Sequence, residues 1–188
     1  MFQTNLTLPE HWEYILETRL LQAPDCRRKN IYICSPCRGK TAKDTQRNIL
    51  AARFYMFHVW DKLGHHARAP HGYVSMVLND NSCHERALAL QFGENLLLLC
   101  DGLYVCGDKL SSGMRNEIER AVVFGLPITV FHPDLVLDVV KIVTRRGGDK
   151  KLVSYDSSHP ELSLNSEELF SEAKSSADTY VFGGTEVT

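Results

Sequence analysis

Residues 31–36, Ile-Tyr-Ile-Cys-Ser-Pro, decide the fold, because they form a short apolar run that ends at a proline. A run of this length bounded by a turn signal is typical of a buried strand. Pro36 has no backbone N–H with which to continue a hydrogen-bonded ladder, and the polar residues 38–40 follow it. The sequence therefore predicts a buried strand that leads into a polar loop.

Helices and strands alternate after this first strand. Apolar residues recur at helical spacing over about 44–63, and Gly64 follows where a helix cap is expected. Residues 65–73 predict a brief strand and a loop. A second helix is expected over about 82–99, because Ser82 and Glu85 fit a capping box.

The remaining predicted elements repeat this alternation. Strands are expected at 102–106 and 127–132, and helices at about 112–124 and 134–144. Strands separated by helices of this length indicate parallel crossovers, so we predict an α/β fold. It is a single Rossmann-like (flavodoxin-like) domain with an open parallel sheet and helices on both faces. Ligands bind beyond the carboxyl ends of the strands in such sheets.

The flanking segments differ from this central domain, which we place at residues 30–144. Residues 1–29 predict an N-terminal helical extension. Residues 145–188 are rich in serine and acidic residues and poor in apolar ones, so we expect a polar, partly flexible tail outside the core. A helical segment is still predicted within it at 165–174.

The composition excludes several classes of protein. The 188 residues are 44% apolar and 23% charged, which is ordinary for a globular protein. The formal charge of -2 leaves no basic field for duplex nucleic acid. No stretch reaches the roughly 18 apolar residues that would cross a membrane, so we expect no membrane partner. The six cysteines lack the density of a secreted disulfide scaffold, which indicates reduced thiols and a cytoplasmic location.

Cys34 and Cys37 form a C-x-x-C pair, for which a redox site or half a zinc site is one interpretation. A thioredoxin-like pair follows a strand and opens a helix, which Pro36 and Arg38 do not resemble. No second ligand pair stands at zinc-ribbon spacing. We therefore favour ordinary packing and loop cysteines, and expect no metal and no cofactor.

Glu117 is the first residue with catalytic potential. It lies three residues after Met114 and four before Ala121, at the edge of the core-facing stripe of its predicted helix. That position partly desolvates the carboxylate and directs it towards the carboxyl end of the sheet. The alternative is a helix-start acid favoured by the macrodipole. Glu119 has the spacing to pair with Arg115 and is expected on the solvent side.

Other polar residues have simple structural interpretations when each is taken alone. Asp101 fits a turn acid before a strand, and Asp80 fits a loop or capping residue. Pro70 and His71 fit a rigid turn with a surface histidine, and Glu85 fits a capping acid.

Taken in order, however, these residues resemble the nucleoside 2-deoxyribosyltransferase-like superfamily, in particular its small bacterial and phage branch of unknown function. The resemblance covers roughly residues 30–132. It is carried by I-Y-I-C-S-P at 31–36, Asn48 with Ala51, Pro70-His71, Asp80 with Glu85-Arg86, Cys100-Asp101, and S-x-G-M-x-x-E-I-x-x-A at 111–121.

The resemblance implies a role for each matching residue. Glu117 would attack C1′ of a deoxyribose and form a covalent glycosyl-enzyme, assisted by Asp101, with Asp80 as proton donor to the departing base. N-glycosidic cleavage passes through an oxocarbenium-like state, for which paired carboxylates are suited. The residues that would bind the substrate are Ser35, Arg38, Gly39, Pro70, His71, Ser112, Gly113 and Met114.

Three hypotheses follow for function. The first is cleavage or transfer of the N-glycosidic bond of a 2′-deoxynucleoside or 2′-deoxynucleotide. The second is a sensor or sequestering protein that binds such a nucleotide without turnover. The third is an interaction scaffold that acts through its tail.

A homo-oligomer is also expected, because members of the resembled superfamily commonly close the cleft with a neighbouring subunit. The long first helix carries Phe54, Tyr55, Phe57 and Val59 beyond the stripe that the sheet needs. Coverage by a second layer of the same chain is the alternative.

Overall fold

The computed structural model describes residues 28–72, 74, 77–78 and 82–171. The strands are β1 (Asn30–Cys34), β2 (His66–Arg68), β3 (Gly102–Val105), β4 (Ile128–Val130) and β5 (Val153–Tyr155). The helices are α1 (Ala42–Leu63), α2 (Cys83–Leu98), α3 (Ser112–Val123), α4 (Val136–Arg145) and α5 (Ser166–Ser171).

The five strands form one parallel sheet in the order β2-β1-β3-β4-β5. This 2-1-3-4-5 order is that of the flavodoxin-like, doubly wound α/β fold. The predicted fold class is therefore confirmed. The order reverses between β1 and β3, and a crevice opens at the carboxyl ends of strands at such a switch point.

Helices cover both faces of the sheet, so side chains alternate between two apolar clusters along each strand. In β1, Tyr32 and Cys34 pack against α2, α3 and α4. Ile31 and Ile33 pack against α1 on the other face. Burial on both faces explains why this strand is an uninterrupted apolar run.

Local sequence explains where the helices begin and end. Thr41 and Asp44 form a reciprocal capping box at the start of α1, and Gly64 ends that helix with φ of 69°. Ser82 caps α2 by accepting the backbone N–H of Glu85. Ser111 likewise accepts the N–H of Met114 at 3.2 Å and begins α3. These positions agree with the predicted boundaries to within about two residues.

The folded core extends beyond residue 144, where the sequence analysis expected a tail to begin. Strand β5 pairs with β4, and Leu162 is fully buried in the α1 side of the core. The backbone N–H of Gly107 donates to the carbonyl of Leu162 over 2.9 Å. The interpretation of residues 145–171 as outside the core was therefore wrong. The sequence did not indicate β5, because this three-residue edge strand has no apolar run.

The apolar surplus on α1 is covered within the chain. Tyr55 and Val59 are core residues, and Phe54 packs against the same cluster as Leu169 and Phe170 of α5. Phe57 is half-buried beside Trp60 and belongs to neither apolar cluster, so the second-layer alternative holds for Phe54, Tyr55 and Val59 of the predicted patch.

The sequence also predicted an N-terminal helical extension and no membrane-spanning segment. The N-terminal helical extension falls almost wholly on residues 1–27, outside the described residues. No described helix is both long enough and apolar enough to cross a membrane.

Candidate active site

A cleft of about 1200 Å³ opens at the carboxyl ends of β1 and β3. Its walls come from the loop after β1, the inward face of α2, the start of α3 and residues 165–167. It lies at the switch point of the sheet, where the fold places ligand sites. We call this space the cleft.

Glu117 of α3 is the central acid of the cleft. The Tyr32 hydroxyl donates to Glu117 Oε1 over 2.9 Å. Glu117 Oε2 is shielded from solvent and has no hydrogen-bond partner among the described residues, although the Cys34 thiol lies nearby. One carboxylate oxygen is thus held in position by Tyr32, and the other is not.

Burial raises the pKa of Glu117 from 4.5 to about 7, partly offset by the nearby Cys34 thiol and Tyr32 hydroxyl. The carboxylate therefore titrates close to neutral pH. Burial also raises the pKa of Cys34 well above its usual value. A buried, protonated thiol has little nucleophilic character, which favours packing over redox chemistry at Cys34.

Gly93 of α2 leaves room for the Tyr32 hydroxyl. A Cβ at position 93 would lie 3.3 Å from the Tyr32 oxygen and 3.7 Å from Cγ of Pro70. A side chain there would press on the group that positions Glu117. The helix can therefore pack tightly behind the acid only because residue 93 is a glycine.

Ser35 and His71 form a second polar group in the cleft. Ser35 Oγ and His71 Nε2 are 2.9 Å apart. Burial lowers the pKa of His71 to about 4, so its imidazole is neutral at physiological pH. The pair can exchange hydrogen bonds with a neutral ligand group, and Pro70 fixes the turn beside it.

Asp108 is a cleft residue that the sequence analysis missed. It follows β3 directly and lies in the loop before α3. Its Oδ2 accepts a hydrogen bond from the side-chain amide of Asn165 at 2.9 Å, whereas its buried Oδ1 has no hydrogen-bond partner among residues whose positions are described. A buried acceptor without a partner is energetically unfavourable, and a ligand hydroxyl could satisfy it.

The C-terminal segment closes one side of the cleft. Ser166 Oγ donates to Asn48 Oδ1 over 2.8 Å, and the Tyr55 hydroxyl donates to the carbonyl of Leu164 over 2.5 Å. These contacts tie residues 164–166 to α1. Short-range sequence patterns contain no trace of this long-range contact.

The loop after β1 brings positive charge to the cleft. Arg38 and Lys40 of this loop line it, together with Arg47 of α1. Gly39 is required in this loop, because a Cβ there would lie 2.2 Å from Cβ of Asp44. Ser112 and Gly113 are exposed at the first turn of α3 and also line the cleft. Met114 touches it too, but its side chain is a buried core residue.

Asp101 does not reach the cleft, so its predicted catalytic role is corrected. It precedes β3 and therefore lies at the amino-terminal edge of the sheet, opposite Glu117. Its carboxylate accepts the backbone N–H of Asn30 at 2.7 Å, which is a structural contact. Asp80, the predicted proton donor, lies outside the described residues.

Glu119 also lines the cleft, but its carboxylate is held by two arginines. It forms ion pairs with Arg145 at 2.7 Å and Arg146 at 2.5 Å, instead of the expected pair with Arg115. These bonds lower the pKa of Glu119. The two glutamates of α3 thus differ in environment, because burial raises the pKa of Glu117 whereas arginines lower the pKa of Glu119.

The described residues include one group that could hold a metal ion: His58, His159 and Glu161. None of the three lines the cleft.

Comparisons with known proteins place this doubly wound α/β chain in a family. Residues 29–131, more than half of the chain, match the "Domain of unknown function (DUF7768)", and the chain belongs to that family. The solved 2-deoxyribosyltransferase of the psychrotolerant bacterium Bacillus psychrosaccharolyticus is similar over 55% of this chain and 72% of its own, with 19% identity and a TM-score of 0.44. No curated protein matches the sequence.

Proposed function

We propose that the protein cleaves the N-glycosidic bond of a 2′-deoxynucleoside or 2′-deoxynucleotide, with Glu117 as nucleophile. The observation that carries the proposal is the buried Glu117 carboxylate, of which Tyr32 holds one oxygen while the other has no hydrogen-bond partner among the described residues. A carboxylate that is desolvated and oriented can attack an electrophilic carbon directly. The motif at 111–121, with its resemblance to deoxyribosyltransferases, gives independent support.

The reaction proceeds in two displacements. A bond forms between a Glu117 oxygen and C1′ while the bond from C1′ to the base nitrogen breaks, and its electron pair leaves with the base. An acid protonates that nitrogen. Water or a second base then attacks C1′ and releases Glu117, and the incoming nucleophile returns its proton to the conjugate base of that acid.

Asp108 takes the place that the sequence analysis gave to Asp101. Its unpaired Oδ1 is suited to accept a sugar hydroxyl, which would fix the ring against Glu117. Ser35 and neutral His71 offer hydrogen bonds to the uncharged base. Asp80 stays the predicted proton donor.

The cationic loop bears on the substrate class. Arg38, Lys40 and Arg47 lie along the same cleft as the first turn of α3, whose backbone N–H groups favour anions. Both features favour a 5′-phosphate over a free 5′-hydroxyl. We therefore extend the proposal from nucleosides to deoxynucleotides, for which arginine is a suitable partner.

The test is incubation with a panel of deoxynucleosides and deoxynucleotides, followed by chromatography for free base. We expect release of base by the wild-type protein and a loss of roughly 1000-fold or more in Glu117→Gln. Glu119→Gln, a matched change on the same helix, should retain activity because its carboxylate is bound to arginines. Equal effects of both variants would refute the assignment of the nucleophile.

A second measurement tests the covalent intermediate. A 2-fluoro-deoxynucleoside slows breakdown of a glycosyl-enzyme by destabilising the oxocarbenium-like state, so a mass increment is expected on the peptide with Glu117. An adduct on another residue would overturn the mechanism. Recovery of every panel compound intact but bound would favour the sensor or sequestering hypothesis.

A further inference from the structure

A second group of functional side chains lies outside the cleft. His58 projects from α1, whereas His159 and Glu161 lie in the connection that follows β5. The fold brings the two histidines together across 101 positions of sequence. The cluster thus joins the core helix to the C-terminal segment.

The distances in this cluster match a set of metal ligands. His58 Nε2 lies 3.4 Å from His159 Nδ1 and 3.9 Å from Glu161 Oε2. All three ligand atoms lie within 4.8 Å of one another. In a tetrahedral zinc site with bonds of about 2.1 Å, neighbouring ligand atoms are about 3.4 Å apart. The two ring nitrogens already have this spacing, which is longer than an ordinary hydrogen bond.

One side chain of the cluster, His58, is buried, and another, Glu161, is open to solvent. His58 is buried, and its ring lies 6.0 Å from Phe54 and 5.5 Å from His159 between centroids. Burial lowers the pKa of His58, which favours the neutral imidazole that metals bind. The Glu161 side chain is 49% exposed, so an ion can enter from solvent.

We propose that His58, His159 and Glu161 bind one divalent transition-metal ion, with zinc as the preferred occupant. Two imidazoles and one carboxylate suit zinc, whereas magnesium and calcium prefer oxygen ligands alone. Three protein ligands leave a fourth tetrahedral position for water. The site is new relative to the cleft and independent of the proposed glycosyl chemistry.

The ion would act on the structure of the cleft without lining it. Leu162, next to Glu161, is fully buried and accepts the N–H of Gly107. Three residues further on, Asn165 donates to Asp108. An ion bound by His58 and Glu161 would therefore fasten the segment that holds Asp108 to α1.

Zinc binding to the full-length, untagged protein provides the test. The protein is stripped with a chelating resin and titrated with zinc chloride against a chromophoric chelator. We expect one ion per chain and a dissociation constant below about 1 µM, on the order of other sites with three protein ligands. At a free zinc concentration about 100 times that constant, the melting temperature should rise by roughly 5–10 °C.

Variants assign the site. His159→Ala and Glu161→Gln replace residues that are not in the buried core, and each should weaken zinc binding at least about tenfold and abolish the thermal shift. His66→Ala, an exposed histidine on β2, is the matched control and should bind zinc as the wild type does. Cobalt bound in place of zinc should show the intense visible bands of tetrahedral coordination in the wild type and in neither cluster variant. Absence of stoichiometric binding, or binding that survives both cluster substitutions, would overturn the proposal.

Discussion

Glu117 is the residue at which stability and the proposed chemistry oppose each other. Its pKa rises from 4.5 to about 7 on folding, so the folded chain binds its proton more tightly than the unfolded chain does. Between those two pH values the folded state holds more protons, and stability must fall as pH rises. At 1.36 kcal/mol per pKa unit, the full cost above pH 7 is about 3 kcal/mol. A buried carboxylate that the fold does not neutralise is a mark of functional sites.

Substitution of Glu117 by glutamine should therefore stabilise the protein in a pH-dependent way. We expect Glu117→Gln to match the wild type near pH 4.5 and to exceed it by about 2–3 kcal/mol at pH 8, because the amide never ionises. Urea unfolding of both proteins at several pH values measures the difference. Titration of His71 occurs in both proteins and cancels in the comparison.

Glu119→Gln is the control, with the opposite sign. The arginines lower the pKa of Glu119, so its carboxylate contributes stability above the unfolded value of 4.5 and loses it as pH falls. The glutamine variant should thus be slightly less stable than the wild type at pH 8. A stability difference for Glu117→Gln that does not grow with pH would contradict the burial of its charge.

The site residues differ in how far sequence could predict them. Glu117 was predictable because its motif and its position on the helix agreed. Asp101 was misplaced although strand direction decides the matter: a residue before a parallel strand lies at the amino edge, and one after it, such as Asp108, lies at the carboxyl edge. Tyr32 was not predicted as a site residue. Side chains along a strand alternate between the two faces of the sheet, so Tyr32 and Cys34 lie on the same face of β1.

At the level of elements, the first four strands and the helices between them were predictable, and the C-terminal ones only in part. Strands β1, β3 and β4 carry apolar runs and the helices between the strands carry capping residues, so local pattern and global fold agree there, whereas β2 is His-Ala-Arg and has no such run. β5 is a three-residue edge strand, and Leu162 lies in a segment made up mostly of polar residues. Their burial depends on long-range contacts with β4 and α1, which no short window of sequence contains.

Truncation tests whether residues 145–171 belong to the folded core, as β5 and Leu162 indicate. A chain ending at residue 144 loses β5, Leu162 and α5, and it should lose cooperative unfolding. A chain ending at residue 171 keeps every described contact and should unfold like the full-length protein. Circular dichroism during thermal unfolding distinguishes them.

A point substitution tests the contribution of this segment to the core without shortening the protein. Leu162→Ala should cost about 2–5 kcal/mol, the usual range for a buried leucine. Full stability of the chain ending at residue 144 would show that residues 145–171 do not belong to the core.

At the scale of the whole molecule, α2 is apolar on two opposite faces. Gly93 and Leu97 are buried against the core. Leu88, Phe92 and Leu99 recur at spacings of four and seven residues on the other side, and all three are exposed. A helix that is hydrophobic all round is normally covered on both sides. We therefore predict that self-association, if it occurs, uses α2 and not α1.

We predict that the protein self-associates through this outer face of α2. A second copy is the natural partner, since a two-fold axis lets the same ridge pack against itself. Sedimentation velocity at micromolar concentration should show a dimer or larger species for the wild type.

Phe92→Glu should shift the protein to the monomer, because a charge would be buried without a partner at the centre of this apolar ridge. Leu137→Glu introduces the same charge at an exposed leucine of α4 and should leave the assembly intact. A monomeric wild type would rule out self-association at this concentration, and a Phe92→Glu variant that remains assembled would move the interface elsewhere. The inner face of α2 lines the cleft, so a rigid contact on its outer face would also hold Gly93 behind Tyr32.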